Sequence, residues 1–150
     1  MKKFFYFFIS IFLIILSTLT YSILNDTIFN ERLSSNDYIK DSQIEIQDDK
    51  IIIHVKDASL AYYADTHSMD PIINSNANGL EIIPRIEQDI KIGDIIAYQD
   101  SNDLIVHRVI KISKDNQGTY YTLKGDNNTL QDPTKVRFYQ IKYKLIGVLY

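Results

Sequence analysis

Leu104-Ile105-Val106-His107-Arg108-Val109-Ile110-Lys111-Ile112 is the stretch that decides the fold. Read as a strand it is apolar on both alternations, which is the pattern of a strand buried on both faces. A strand covered on both sides implies a sheet with two packed layers, and it sets His107 in a low-dielectric environment. Working outward, further short apolar runs are bounded by turn formers: Ile51–Lys56, Leu60–Ala64, Leu80–Pro84, Asp94–Gln99, Thr119–Lys124 and Tyr139–Leu149. Residues 74–79, 91–94, 100–103 and 114–118 supply the turns between them. No window beyond residue 25 carries a long helical period, and there is no internal repeat or low-complexity tract. The expected fold class is mainly β, a small, partly closed barrel or sandwich.

The N-terminus has a different texture. Residues 4–25 carry no charge and are mostly Phe, Ile and Leu, with Lys2 and Lys3 just ahead. About 20 apolar residues suffice to cross a hydrocarbon core. The lysine pair places the N-terminus on the cytoplasmic side and residue 26 onward outside. The alternative is a cleaved signal peptide, for which Thr20-Tyr21-Ser22 is a poor processing site and the apolar run is long. The expected organisation is therefore a transmembrane anchor over 1–25, a polar stalk over 26–50 with a short helix near Ile28 to Leu33, and a β-rich domain over 51–150.

Composition removes several function classes. The net charge is −3, and it is more acidic still without Lys2 and Lys3, so no basic face is available for nucleic acid. There is no cysteine, which excludes disulfides, a thiol nucleophile and thiolate metal sites. His54, His67 and His107 form no H-E-x-x-H pair, and no cofactor is implied.

Three separated blocks carry the chemistry: Thr66-His67-Ser68-Met69-Asp70-Pro71, Ile105-Val106-His107-Arg108-Val109, and Lys124-Gly125-Asp126-Asn127-Asn128 with Asp132-Pro133. In order they supply a hydroxyl, an imidazole and two carboxylates, the residue types of a serine hydrolase. Neutral His107 can accept the Ser68 proton, and burial favours that neutral form. Asp126 or Asp132 would orient the ring. Pro71 biases Asp70 toward an extended conformation and Met69 can anchor beside Ser68, which fixes the serine backbone. The Thr66 hydroxyl and the Ser68 amide could both face a developing oxyanion. Each block has an ordinary structural explanation alone: a serine beside proline is a turn residue, and Gly-Asp-Asn-Asn is a hairpin end. His54 and His67 are read as exposed or locally bonded. The ordered set is what carries weight.

With those residues in place, the chain resembles a type I signal peptidase of the archaeal and endoplasmic-reticulum branch, which uses serine and histidine. The family's S-M-x-P box matches Ser68-Met69-Asp70-Pro71, its H-R-[VI] context matches His107-Arg108-Val109, and its G-D-N-N-x-x-x-D segment matches Gly125 to Asn128 and then Asp132. Gly93-Asp94-Ile95-Ile96 resembles the family's strand start between the first two boxes. The resemblance implies Ser68 as nucleophile, His107 as base, Asp132 as the third member, Asp126 as a supporting acid and Thr66 as the oxyanion hydroxyl. His67 departs from the small residue common before the nucleophile.

The implied activity is a membrane-anchored serine endopeptidase that removes signal peptides from exported precursors at the outer membrane face. Its partners would be those precursors, the lipid bilayer and secretion machinery of unspecified kind. Two rivals differ in class. A self-cleaving repressor-type protease would need a lysine base and a DNA-binding domain. A catalytically silent, membrane-tethered accessory would keep the boxes for the sake of the fold.

Overall fold

In the computed structural model, residues 2–28 and 34–150 are described. The chain divides into two compact units, Met1–Arg32 and Leu33–Tyr150.

Among its described residues the first unit holds one helix, α1 (Lys2–Ile28). Its described apolar side chains, among them Phe4, Phe8, Phe12, Ile14 and Leu19, are exposed and follow no single stripe. The hydroxyls of Ser17, Thr18 and Thr20 donate to carbonyls three residues back at 2.8–2.9 Å, so these polar groups are satisfied without solvent. Among the described residues no helix is long and apolar enough to cross a membrane. From residue 29 on, the short helix expected near Ile28 to Leu33 lies outside the described residues.

The second unit is built from eight antiparallel strands: β1 (Ile44–Ile46), β2 (Ile51–Ile53), β3 (Ser59–Tyr62), β4 (Asn78–Ile82), β5 (Ile95–Asp100), β6 (Asp103–Asp115), β7 (Gly118–Lys124) and β8 (Ile141–Leu149). β1 and β2 form a hairpin of their own, and the other six make one sheet in the order β3-β4-β8-β5-β6-β7. That order leaves β3 and β7 as edges, so the sheet is open and the expected partial closure into a barrel is absent.

Each strand read from the sequence is present with shifted ends, and β1 was not anticipated. It is a three-residue Ile-Glu-Ile run inside the segment expected to be stalk, and its isoleucines stay exposed. Ser35 and Asn36 are also tied to the strand core, donating to the Gly93 and Ile92 carbonyls and to Asp94 at 3.1–3.2 Å. The compact unit thus begins near residue 33.

β6 governs the architecture. A register shift between Val109 and Lys111 bends it, so its first half pairs with β5 and its second half with β7. Only its centre, His107 to Val109, is buried; Leu104 and Lys111 are exposed. Alternation along β5 serves two cores. Ile96 and Tyr98 join Val109, Tyr121, Leu123 and Val136 in one. Ile95 joins Met69, Ile73, Ala77 and Leu145 in the other.

Candidate active site

Register brings the histidine to its carboxylate. Ile96 lies opposite His107 and Tyr98 opposite Ile105, so Tyr98 and His107 are diagonal neighbours on one face of the sheet. The loop after β7 lays Asp132 over that face, fixed by its backbone amide donating to the Leu123 carbonyl at 2.8 Å. His107 Nδ1 sits 2.9 and 2.8 Å from Asp132 Oδ1 and Oδ2. Both side chains are about nine-tenths buried. The Tyr98 hydroxyl donates to Asp132 Oδ2 at 2.7 Å. Burial pushes the Asp132 carboxyl up, but the hydrogen bonds from His107 and Tyr98 and the charge on the ring outweigh it and hold the carboxyl below its ordinary range. With Nδ1 engaged, Nε2 is the ring nitrogen left to the cleft.

Ser68 approaches from the other core. Residues 68–72 form a turn in which the Ile72 and Ile73 amides donate to the Met69 carbonyl at 3.0 and 3.1 Å. Asp70 lies in this turn, and its carboxylate is held by His67 Nδ1 at 2.9 Å. Met69 is buried in the second core, as the sequence implied. His67 takes a positive φ of 59° and is exposed, with Asp65 also near its ring at 3.7 Å. The hydrogen bond His67 donates to Asp70, then the charges of Asp65 and Asp70, raise the His67 pKa above its ordinary value. His54 is likewise exposed and bonded locally to Glu45.

The glycine block clamps this turn. The Asn127 amide donates to the Ser68 carbonyl at 2.9 Å, and the Asn127 side chain donates to the His67 carbonyl at 3.0 Å. Asp126 does not reach the histidine. It forms a bidentate pair with Arg108, Nε to Oδ1 at 2.7 Å and Nη2 to Oδ2 at 2.6 Å, with both side chains buried. Arg108 Nη1 also donates to the Gly93 carbonyl at 2.7 Å. Of the two candidate aspartates, Asp132 faces the ring and Asp126 braces the loop.

Ser68, Thr66 and His107 line one cleft of about 460 Å³, with Tyr63, Ile73, Leu104 and Val106 among its walls. Thr66 Oγ1 and Ser68 Oγ are 3.1 Å apart. Among the described residues no hydrogen bond joins Ser68 Oγ to the imidazole; the two groups share the cleft and tighten only with substrate in many hydrolases. A larger cavity of about 600 Å³ lies at the β6–β7 turn, where Asp115 is paired with Lys135 and Arg137. Its lining contains neither serine nor histidine.

Two tyrosines at the site were not singled out from sequence. Tyr98 was one apolar position in a strand, and Tyr63 stood one residue before the end of another. The signal was general: a buried phenol needs a partner for its hydroxyl. Tyr63 donates to Glu81 at 3.2 Å, and burial raises the Glu81 carboxyl. No group of described residues could hold a metal ion.

No family model matches the chain and no solved structure matches it. Among curated proteins it is similar to signal peptidase I W of Bacillus subtilis strain 168, with 29% identity over 83 residues, covering 53% of this chain and 43% of that protein. It is also similar to an uncharacterized protein of Methanocaldococcus jannaschii, with 46% identity over 44 residues, covering 29% of this chain and 22% of that one. The chain spans less than half the length of these curated relatives. The similarity is partial and reaches a Bacillus signal peptidase I; the archaeal and endoplasmic-reticulum branch rests on the motifs alone.

Proposed function

We propose that this chain is a serine endopeptidase of the signal peptidase type, anchored in a membrane and cutting signal peptides from exported precursors at the outer face. The observation that carries the proposal is the His107–Asp132 pair at 2.8 Å, with its ring on the cleft that Ser68 lines. The partial similarity to a Bacillus signal peptidase I supports the same class.

In this mechanism Ser68 Oγ attacks the scissile carbonyl while His107 Nε2 takes its proton. Asp132 fixes the tautomer with the proton on Nδ1 and stabilises the imidazolium. The Ser68 amide and the Thr66 hydroxyl receive the oxyanion. His107 then protonates the leaving amine, and water releases the acyl group by the same steps in reverse order of roles. The anchor is supported by the charge-free stretch 4–25 and by the exposed apolar side chains around α1. Confinement of enzyme and precursor to one surface raises their effective concentration.

The test is cleavage of a signal-bearing precursor in membranes by the full chain and by Ser68→Ala. The expected result is product from the first and none from the second, with equal insertion and folding. Equal product from both would end the peptidase proposal and favour a silent accessory.

A further inference from the structure

We infer that Tyr98 is a positioning residue for the catalytic pair: its hydroxyl locks the Asp132 carboxylate in the orientation that serves His107. This deepens the peptidase proposal and rests on it for the catalytic readout.

The geometry is specific. Asp132 Oδ2 receives two donors, the Tyr98 hydroxyl at 2.7 Å and the His107 ring at 2.8 Å. Two donors on one oxygen, from two adjacent strands, oppose rotation of the carboxylate about its own bond. Without the phenol, the loop amide at Asp132 and the ring are the remaining restraints. Tyr98 is 1% exposed and its ring is packed among Ile96, Val109, Tyr121 and Ile141, so the hydroxyl cannot wander. A buried phenylalanine would pack equally well there, yet the position carries a hydroxyl aimed at a carboxylate.

Asp100 on the same strand acts on Tyr98 through space, Asp103 at the start of β6 lines the cleft, and the Tyr121 hydroxyl is turned away to the Glu87 carbonyl at 3.3 Å. Burial first, then Asp132, pushes the Tyr98 phenol above its ordinary range. It therefore stays protonated and donating wherever the enzyme works. Donation into Asp132 also drains negative charge from the carboxylate and weakens its pull on the imidazolium.

The experiment uses the full chain in detergent or liposomes, with Tyr98→Phe and with 3-fluorotyrosine placed at 98. The ring of His107 is titrated by nitrogen-15 NMR, with His54 and His67 assigned by substitution. Tyr98→Phe should raise the His107 midpoint by about half a unit to one unit, the size expected for losing one hydrogen bond to a carboxylate. The fluorinated phenol, a stronger donor, should lower it. Tyr98→Phe should also reduce kcat about 10-fold with KM within about 2-fold, as expected for loss of an interaction that matters in the transition state. An unmoved His107 midpoint in both variants would overturn the inference, whatever the activity. Lack of Ser68-dependent cleavage by the unaltered chain would overturn the peptidase proposal instead, and the titration would still decide the role of Tyr98.

Discussion

A Cβ on Gly125 would stand 2.6 Å from the Ser68 carbonyl oxygen, so the loop after β7 lies against the nucleophile's own backbone. That contact, with the Asn127 amide on the same oxygen, explains why a turn-forming block belongs to the site. Gly125→Ala should push the serine turn away from the loop. We expect kcat to fall by about 10²-fold, the scale of a misplacement near 1 Å, while most of the fold persists by near-ultraviolet circular dichroism. Wild-type kcat in this variant would show that the contact is incidental.

Asp132→Asn should keep the packing and lose the tautomer, because the amide can present a donor to Nδ1. A loss on the order of 10⁴-fold in kcat is the expectation for an orienting carboxylate in a triad. Asp126→Asn should act differently, through stability. Steady-state kinetics beside urea unfolding of the two variants separates the roles.

Thr66→Val removes the hydroxyl 3.1 Å from Ser68 Oγ and keeps the side chain's shape. If that hydroxyl receives the oxyanion, kcat should drop about 10²–10³-fold and Thr66→Ser should restore most of it. Equal rates for the valine and serine variants would remove Thr66 from the mechanism.

The Arg108–Asp126 pair is buried on both sides. Removing one partner leaves a buried charge without compensation, which costs about 3–5 kcal/mol. Arg108→Met should therefore lower the urea midpoint strongly, and the double variant with Asp126→Leu should recover much of the loss. Strictly additive losses would contradict the pairing.

Acid sensitivity follows from two lowered carboxyls. The hydrogen bonds from Arg137, then the Gln117 amide and Lys135, hold Asp115 at about 2, and Asp132 is also below its ordinary value. A carboxyl lowered in the folded state contributes stability above its unfolded pKa, near 4, and that contribution is lost as pH falls through the folded value. The urea midpoint should thus decline below about pH 4, and Asp115→Asn should flatten part of that decline. An identical decline in the variant would mean that other groups dominate.

The strands and the three blocks were legible because alternation, turn formers and an ordered set of reactive residues are written locally. Ser68, His107 and Asp132 needed only their neighbours to be noticed. The Asp126 assignment was half legible: the residue stood out, but its partner Arg108 is set by register and not by spacing. Asp94 and Lys144, 2.8 Å apart and both buried, read as a turn residue and a strand residue, since a buried ion pair leaves no local mark. β1 escaped because three residues carry too little periodicity, and its partner β2 supplies the pairing. Openness of the sheet depends on strand order, which the linear pattern does not encode.

Successive residues on β6, His107 and Arg108, point to opposite sides of the strand and meet different aspartates of the same loop. Chemistry and mechanical bracing are therefore one residue out of phase. A slip of the β5–β6 hairpin by a single position would aim the guanidinium where the proton acceptor belongs and bury the imidazole against Asp126. Faithful formation of the short turn at Ser101 and Asn102 is thus a condition for having any reactive centre, even though that turn touches neither the nucleophile nor its base.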